Sequence, residues 1–299
     1  MANFDLMRKL AQPSDSRIVL LVLDGLGGLP RKSDGQTELE AAHTPNLDRL
    51  AQQGTTGLSN PIGYGITPGS GPAHLALFGY DPIQYDVGRG VLSALGIGFD
   101  LQPSDVAARG NFCTVDGNGF ITDRRAGRIP TEKGAELCKL LDEIEIEGAE
   151  TFVRPVKEYR FVLILRSPGL SPELPDTDPQ QIGLRPLPAT ARVTEAQRTA
   201  DLVNQWIAKA RSKLAGQQPA NMVTLRGFAQ DPALPKFQDI FRLNPAAVAV
   251  YPMYRGAARL VGMKVIPVEH PISNDYRIVL RLHGGGDVRR DRLSLDDDD

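Results

Sequence analysis

Six successive apolar residues, Ile18-Val19-Leu20-Leu21-Val22-Leu23, run directly into Asp24-Gly25. A run with no polar alternation has no solvent face. As a strand it must be covered on both sides, which is the situation of a central strand in a parallel sheet flanked by helices. The run therefore predicts an α/β fold and places Asp24 at the carboxyl end of a strand, where ligands gather in open α/β sheets. A turn-capping role for Asp24 ahead of Gly25 fits the same residues.

Further along, Thr44-Pro45 opens a helix with Leu47, Leu50 and Ala51 as its apolar face and Gly54 as its stop. Ser70 lies within Pro68-Gly69-Ser70-Gly71-Pro72, just before the apolar segment Ala73 to Phe78. A loop running into a helix there would offer backbone N–H groups and the helix dipole to a phosphate. Alone, Gly-Ser-Gly is as often a flexible turn. From Asn111 to Val115 and Gly119 to Thr122 the pattern becomes that of a hairpin, with Asp116-Gly117-Asn118 as its turn. A helix is expected over Thr131 to Glu145, a strand over Arg160 to Leu165, and a long proline-rich loop over Ser167 to Pro188. Thr194 to Leu214 reads as a long amphipathic helix in which Trp206 and the leucines pack. Met222 to Leu225 and Ala246 to Tyr251 read as strands returning to the first sheet. The organisation expected is thus an α/β core, 1–105 plus 216–299, interrupted by an inserted α+β domain at 106–215.

At 299 residues the chain has room for two such domains. Its net charge of −2 gives no general attraction to nucleic acid or to an anionic membrane, so an anion site must come from local arginines. Asp123-Arg124-Arg125 with Arg128 is such a cluster, and Arg109 with Asn111 could join it. A solvated turn with surface ion pairs is the competing reading. Arg226, Arg255 and Gly88-Arg89-Gly90 stand open between an anion clamp and surface pairs. His74 would lie one helical turn from Ser70, facing phosphate or substrate, or serving only packing. Cys113 and Cys138 lack metal or redox spacing, and no apolar run is long enough to span a bilayer, so a reduced, cytoplasmic setting without a membrane is expected.

Three segments carry a resemblance: Val22-Leu23-Asp24-Gly25-Leu26-Gly27, His43-Thr44-Pro45-Asn46-Leu47-Asp48-Arg49-Leu50-Ala51, and Gly69-Ser70-Gly71-Pro72-Ala73-His74-Leu75 continuing to Pro82. With Gly88-Arg89-Gly90, Ala108-Arg109-Gly110-Asn111-Phe112, Thr122 to Ile129 and Tyr254 to Arg259, they resemble in order and spacing the archaeal-type cofactor-independent phosphoglycerate mutases of the alkaline phosphatase superfamily. The resemblance implies an alkaline-phosphatase-like core sheet and an isomerase acting in glycolysis and gluconeogenesis on 3-phosphoglycerate and 2-phosphoglycerate. It further implies that Ser70 is the catalytic residue, carrying the phosphoryl group, and that two divalent ions (Mn, Mg or Zn) are bound, one of them by Asp24 and Ser70. Arg109, Asn111, Asp123, Arg124, Arg125, Arg128, His74 and Arg255 become the substrate-binding set. A homoserine-kinase-like phosphotransferase of the same family is the alternative.

The family's later Thr-Asp and Gly-Asp-His-Ser-type metal segments are not found, and the likeness fades after Lys264. A truncated or frameshifted relative is the expectation, with a non-catalytic binder of phosphorylated ligands as the rival and a substitute site of His270, His283 and Asp287 as a weaker one. A core sheet so shortened would leave apolar surface uncovered.

Overall fold

The computed structural model describes residues 3–23, 28–67, 69–85 and 87–267. Along them run α1 (Phe4–Leu10), α2 (Glu38–Ala41), α3 (Pro45–Gln53), α4 (Ser70–Leu77) and α5 (Arg89–Gly96), then β1 (Asp105–Val115) and β2 (Ile121–Asp123). After these come α6 (Thr131–Asp142), β3 (Glu150–Lys157), β4 (Arg160–Arg166), α7 (Gln197–Leu214) and β5 (Met222–Ala229). The chain continues through α8 (Phe237–Phe241), β6 (Ala246–Ala247), α9 (Pro252–Leu260) and β7 (Lys264–Val265). With one antiparallel sheet, one short parallel pair and helices packed on them, the class is α/β.

β1 is the hub of the sheet. It pairs antiparallel with β4, β5 and β2, and β3 extends the sheet beyond β4. Side chains alternate between faces along a strand, so Val106, Ala108 and Phe112 of β1 share one face while Ala107, Arg109 and Asn111 share the other. The first face joins Phe161, Leu163 and Leu165 of β4 in a core closed by α6 and α7. α7 presents Leu202, Val203, Trp206, Ala210 and Leu214 to that core at helical spacing, as expected for an amphipathic helix. On the second face, Ala107, Val162, Ile164 and Ala229 pack against Val91 and Leu92 of α5 and Ala257 and Leu260 of α9. The result is helices, sheet, helices, with two apolar layers.

α5 and α9 meet through glycines. A Cβ on Gly96 would lie 2.0 Å from the Pro252 carbonyl oxygen, and one on Gly256 would lie 2.0 Å from that of Leu92. Arg259 of α9 donates to the carbonyls of Leu95 and Gly96 and so satisfies the carboxyl end of α5.

Several expectations change. Ile18 to Leu23 form no strand: they are exposed by 38–75%, and no strand among the described residues pairs with them. Apolar character alone cannot hold a strand, because its N–H and C=O groups need a neighbouring ladder. Met222 to Leu225 do form a strand, β5, but it pairs with β1, so the sheet expected within 106–215 draws a strand from 222–229. Only Ala246–Ala247 of the last expected strand is extended, paired parallel with β7. The helix at Pro45–Gln53 forms, yet Leu47 and Leu50 are exposed. Asp24, His270, His283 and Asp287 lie outside the described residues. No helix among those described is long and apolar enough to cross a membrane.

Candidate active site

Ser70 is the first residue of α4, with Gly69 as N-cap, and its side chain is exposed. His74 is buried. Its Nδ1 donates to the Ser70 carbonyl oxygen at 2.7 Å, and its ring stacks on Tyr254 with centroids 4.5 Å apart. Tyr254 in turn lies 5.8 Å from Tyr251, centroid to centroid. This ladder of rings ties the serine-bearing turn to the start of α9.

Tyr251 leads to the second feature. Cross-strand register places Arg109 of β1 opposite Arg226 of β5, and Asn111 opposite Thr224 and Arg160, so these side chains share the sheet face that carries α5. Arg89, the first residue of α5, joins them: the charges of Arg89, Arg226 and Arg160 all act on Arg109, as does the Tyr251 phenol. Burial first, and then the neighbouring guanidinium charges, pull Arg109 down to about 10. Burial and Arg226 likewise lower Arg89. Neither Arg89 nor Arg109 forms an ion pair among the described residues, whereas Arg226 contacts Asp176 at 3.3 Å and Asp178 at 3.8 Å.

Two buried atoms here lack partners among the described residues: Arg109 Nε, a donor, and Asn111 Oδ1, an acceptor on a residue only 6% exposed. Buried polar atoms are normally satisfied. A donor among unpaired cations asks for an anion, and an acceptor beside it asks for a hydroxyl or N–H. The backbone narrows the cradle further. Gly227 has φ +63°, a left-handed conformation, and a Cβ there would lie 2.8 Å from Arg89 N, so glycine is required where β5 passes the start of α5.

The cluster at the hairpin is arranged differently. Asp123 caps its turn, accepting from the N–H of Arg125 at 2.8 Å and of Gly127 at 2.6 Å. Arg124 makes a two-pronged pair with Asp178, at 3.0 and 2.8 Å, which raises its own pKa. Burial would raise Asp178, but the hydrogen bonds from Arg124 and from the Gln180 N–H, with the charges of Arg124 and Arg226, hold it below the usual carboxylate range. Arg125 and Arg128 are exposed, with Arg128 3.6 Å from Glu158. Arg255 sits on α9 one turn before Arg259; its Nε is buried without a partner among the described residues, and burial followed by the Arg259 charge lowers its pKa. Of the residues expected to bind substrate, then, Arg109 and Asn111 lie together, in company with Arg89 and Arg226. The alternation Arg109, Asn111 and Thr224, Arg226 was the available signal, but the pairing of β1 with β5 is invisible without the fold.

Among the described residues no group of three or more His, Cys, Asp or Glu side chains could hold a metal ion. By themselves those residues do not fit a pair of divalent ions. Ser70 offers one oxygen, and His74 has one ring nitrogen engaged by the backbone.

The serine at the start of α4 is thus joined through the stacked His74 and Tyr254 rings and the tilted Tyr251 ring to the neighbourhood of the arginines on the sheet face. Comparison with known proteins gives the chain a family. The model of the 2,3-bisphosphoglycerate-independent phosphoglycerate mutase family matches residues 51–221. A protein of Thermus thermophilus, named as a probable 2,3-bisphosphoglycerate-independent phosphoglycerate mutase, is 51% identical over 268 residues, 89% of this chain and 66% of its own length. One of the same name from Aquifex aeolicus is 47% identical over 280 residues, 91% of this chain and 69% of its own. Among solved structures, a cofactor-independent phosphoglycerate mutase from Thermoplasma acidophilum superposes with TM-score 0.59 and 34% identity, over 84% of this chain and 69% of that one. A Pyrococcus horikoshii protein gives TM-score 0.66 at 28% identity, over 83% and 60%. The chain belongs to the 2,3-bisphosphoglycerate-independent phosphoglycerate mutase family. It spans 66% of the length of the Thermus relative.

Proposed function

We propose that this chain acts in the interconversion of 3-phosphoglycerate and 2-phosphoglycerate, with Ser70 as the group that carries the phosphoryl between the two positions. The convergence of Arg89, Arg109 and Arg226 beside the unpartnered Asn111 Oδ1 is the observation that carries the reading; family membership names the ligand. A phosphoglycerate has two anionic groups for the guanidiniums and one hydroxyl for the amide oxygen. In the first half-reaction Ser70 Oγ bonds to phosphorus as the bond from phosphorus to the C3 oxygen breaks, the serine proton leaving and the C3 oxygen gaining one. The second half-reaction reverses these changes on the C2 oxygen. Positioning and preorganised charge supply most of what such a transfer needs. The family's divalent ions, with Asp24 and Ser70 as this chain's ligands, the cytoplasmic setting and the division into core and inserted domain belong to the same reading.

Incubation with 3-phosphoglycerate labelled at phosphorus, in the presence of manganese, is expected to label Ser70 and to yield 2-phosphoglycerate. Ser70→Ala should abolish both. Isomerisation with no label on Ser70 would overturn the mechanism. A second reading, a binder of phosphorylated ligands without turnover, is favoured by the contrast between an assembled arginine cradle and described residues that do not form a metal site. Titration calorimetry separates the two: binding without turnover, unaltered by Ser70→Ala, supports the binder.

A further inference from the structure

The loop at 167–188 supplies none of the cradle's cations, yet three consecutive residues of it dock on β5 beside the cradle. Thr177 at the centre mimics a strand partner: its N–H donates to the Leu225 carbonyl at 2.8 Å, and its Oγ1 accepts from the Leu225 N–H at 2.7 Å. Thr177 is fully buried, so the docking is fixed. On either side of it stand two carboxylates. Asp176 accepts from the Gly227 N–H at 2.8 Å and from Arg226 Nε at 3.3 Å. Asp178, 3% exposed, holds Arg124 by both prongs and reaches Arg226 at 3.8 Å.

Arg226 is therefore held at Nε by Asp176 and approached at Nη1 by Asp178, while its cross-strand neighbour Arg109 has no ion pair among the described residues. A long, flexible cation placed directly opposite another would swing away from it. Carboxylates in this place lower the cradle's positive charge, which by itself opposes anion binding. Their benefit lies in direction.

We propose that Asp176, with Asp178 behind it, is a positioning residue that aims the Arg226 guanidinium into the cradle formed with Arg89 and Arg109. The proposal rests on reading that cradle as the seat of a phosphorylated anion. It makes a prediction of sign that charge alone cannot make. Asp176→Asn keeps an acceptor for the Gly227 N–H and adds one net positive charge to the site, so a residue acting only through charge would give tighter anion binding when replaced. A positioning residue gives weaker binding.

The test is titration calorimetry of the full chain with inorganic phosphate and with 3-phosphoglycerate, for the wild type, Asp176→Asn, Arg226→Lys and the double variant, with thermal unfolding of each. Asp176→Asn is expected to weaken phosphate binding about tenfold without a change in the unfolding midpoint. Because Lys has no Nε–H for Asp176 to hold, the same substitution in the Arg226→Lys background should have little further effect. Equal or tighter phosphate binding by Asp176→Asn, or an equal loss in both backgrounds, overturns the proposal. Phosphate binding that weakens as expected, with no binding of 3-phosphoglycerate, supports the positioning role and overturns the substrate reading instead. A wild type that binds neither anion overturns the cradle and this proposal with it.

Discussion

Arg109 shows how a single residue can be costly to the fold at the place where an anion site is proposed. Its folded-state pKa, about 10, lies below the ordinary 12.5, so the folded protein disfavours the charged form. That cost is fully present below about pH 10 and is relieved as pH rises from there towards 12.5. At neutral pH it is uncompensated by any ion pair among the described residues. Arg109→Met should therefore stabilise the fold, by about 1 kcal/mol in urea unfolding at pH 7, while anion binding falls at least about tenfold. The stability gain should shrink above pH 10. Burial also explains the two thiols: both are free and buried, pushed up to about 12 by desolvation and nearby carboxylates. Cys113 and Cys138 should resist a thiol-specific reagent at pH 8 in the native protein and react promptly in denaturant.

At the scale of elements, the position of the site depends on α5. Its first residue is Arg89, its glycines let it lie against β1 and α9, and its carboxyl end is capped by Arg259. Gly256 faces the Leu92 carbonyl, a backbone atom that cannot rotate away. Gly256→Ala should destabilise the protein by about 2 kcal/mol or more in urea unfolding, because the added methyl must push two helices apart. Helices were the more legible elements in sequence: α6 and α7 form where apolar spacing and turn residues place them. Strand partners were less legible. β5 was expected from its residues, but to which sheet it belonged depended on register with β1, which is a contact between residues more than a hundred positions apart.

Across the whole molecule the described residues divide sharply. None of those from 3 to 67 is buried, and of α1 the half-buried Phe4 packs on the second apolar layer beside Tyr80 and Tyr85, while the stretch that follows supplies the buried residues of both layers. Amide hydrogen exchange should accordingly be fast throughout 3–23 and 28–67 and slowest in β1, β4 and β5, where ladder bonds are covered on both faces; protection of Ile18 to Leu23 equal to that of β1 would contradict this arrangement. By itself, the sequence determined the α/β class, the helix-start position of Ser70, the packing of α7 and, through ordered motifs, the family. These are local or cumulative properties, set by spacing along the chain. Tertiary structure alone decided that Arg89, Arg109 and Arg226 converge while Arg125 and Arg128 face solvent, and that Ile18 to Leu23 stay exposed. The reason is common to all three outcomes: the direction of a side chain and the covering of a strand depend on which distant backbone lies alongside, and apolar or charged character in one segment carries no information about its neighbour.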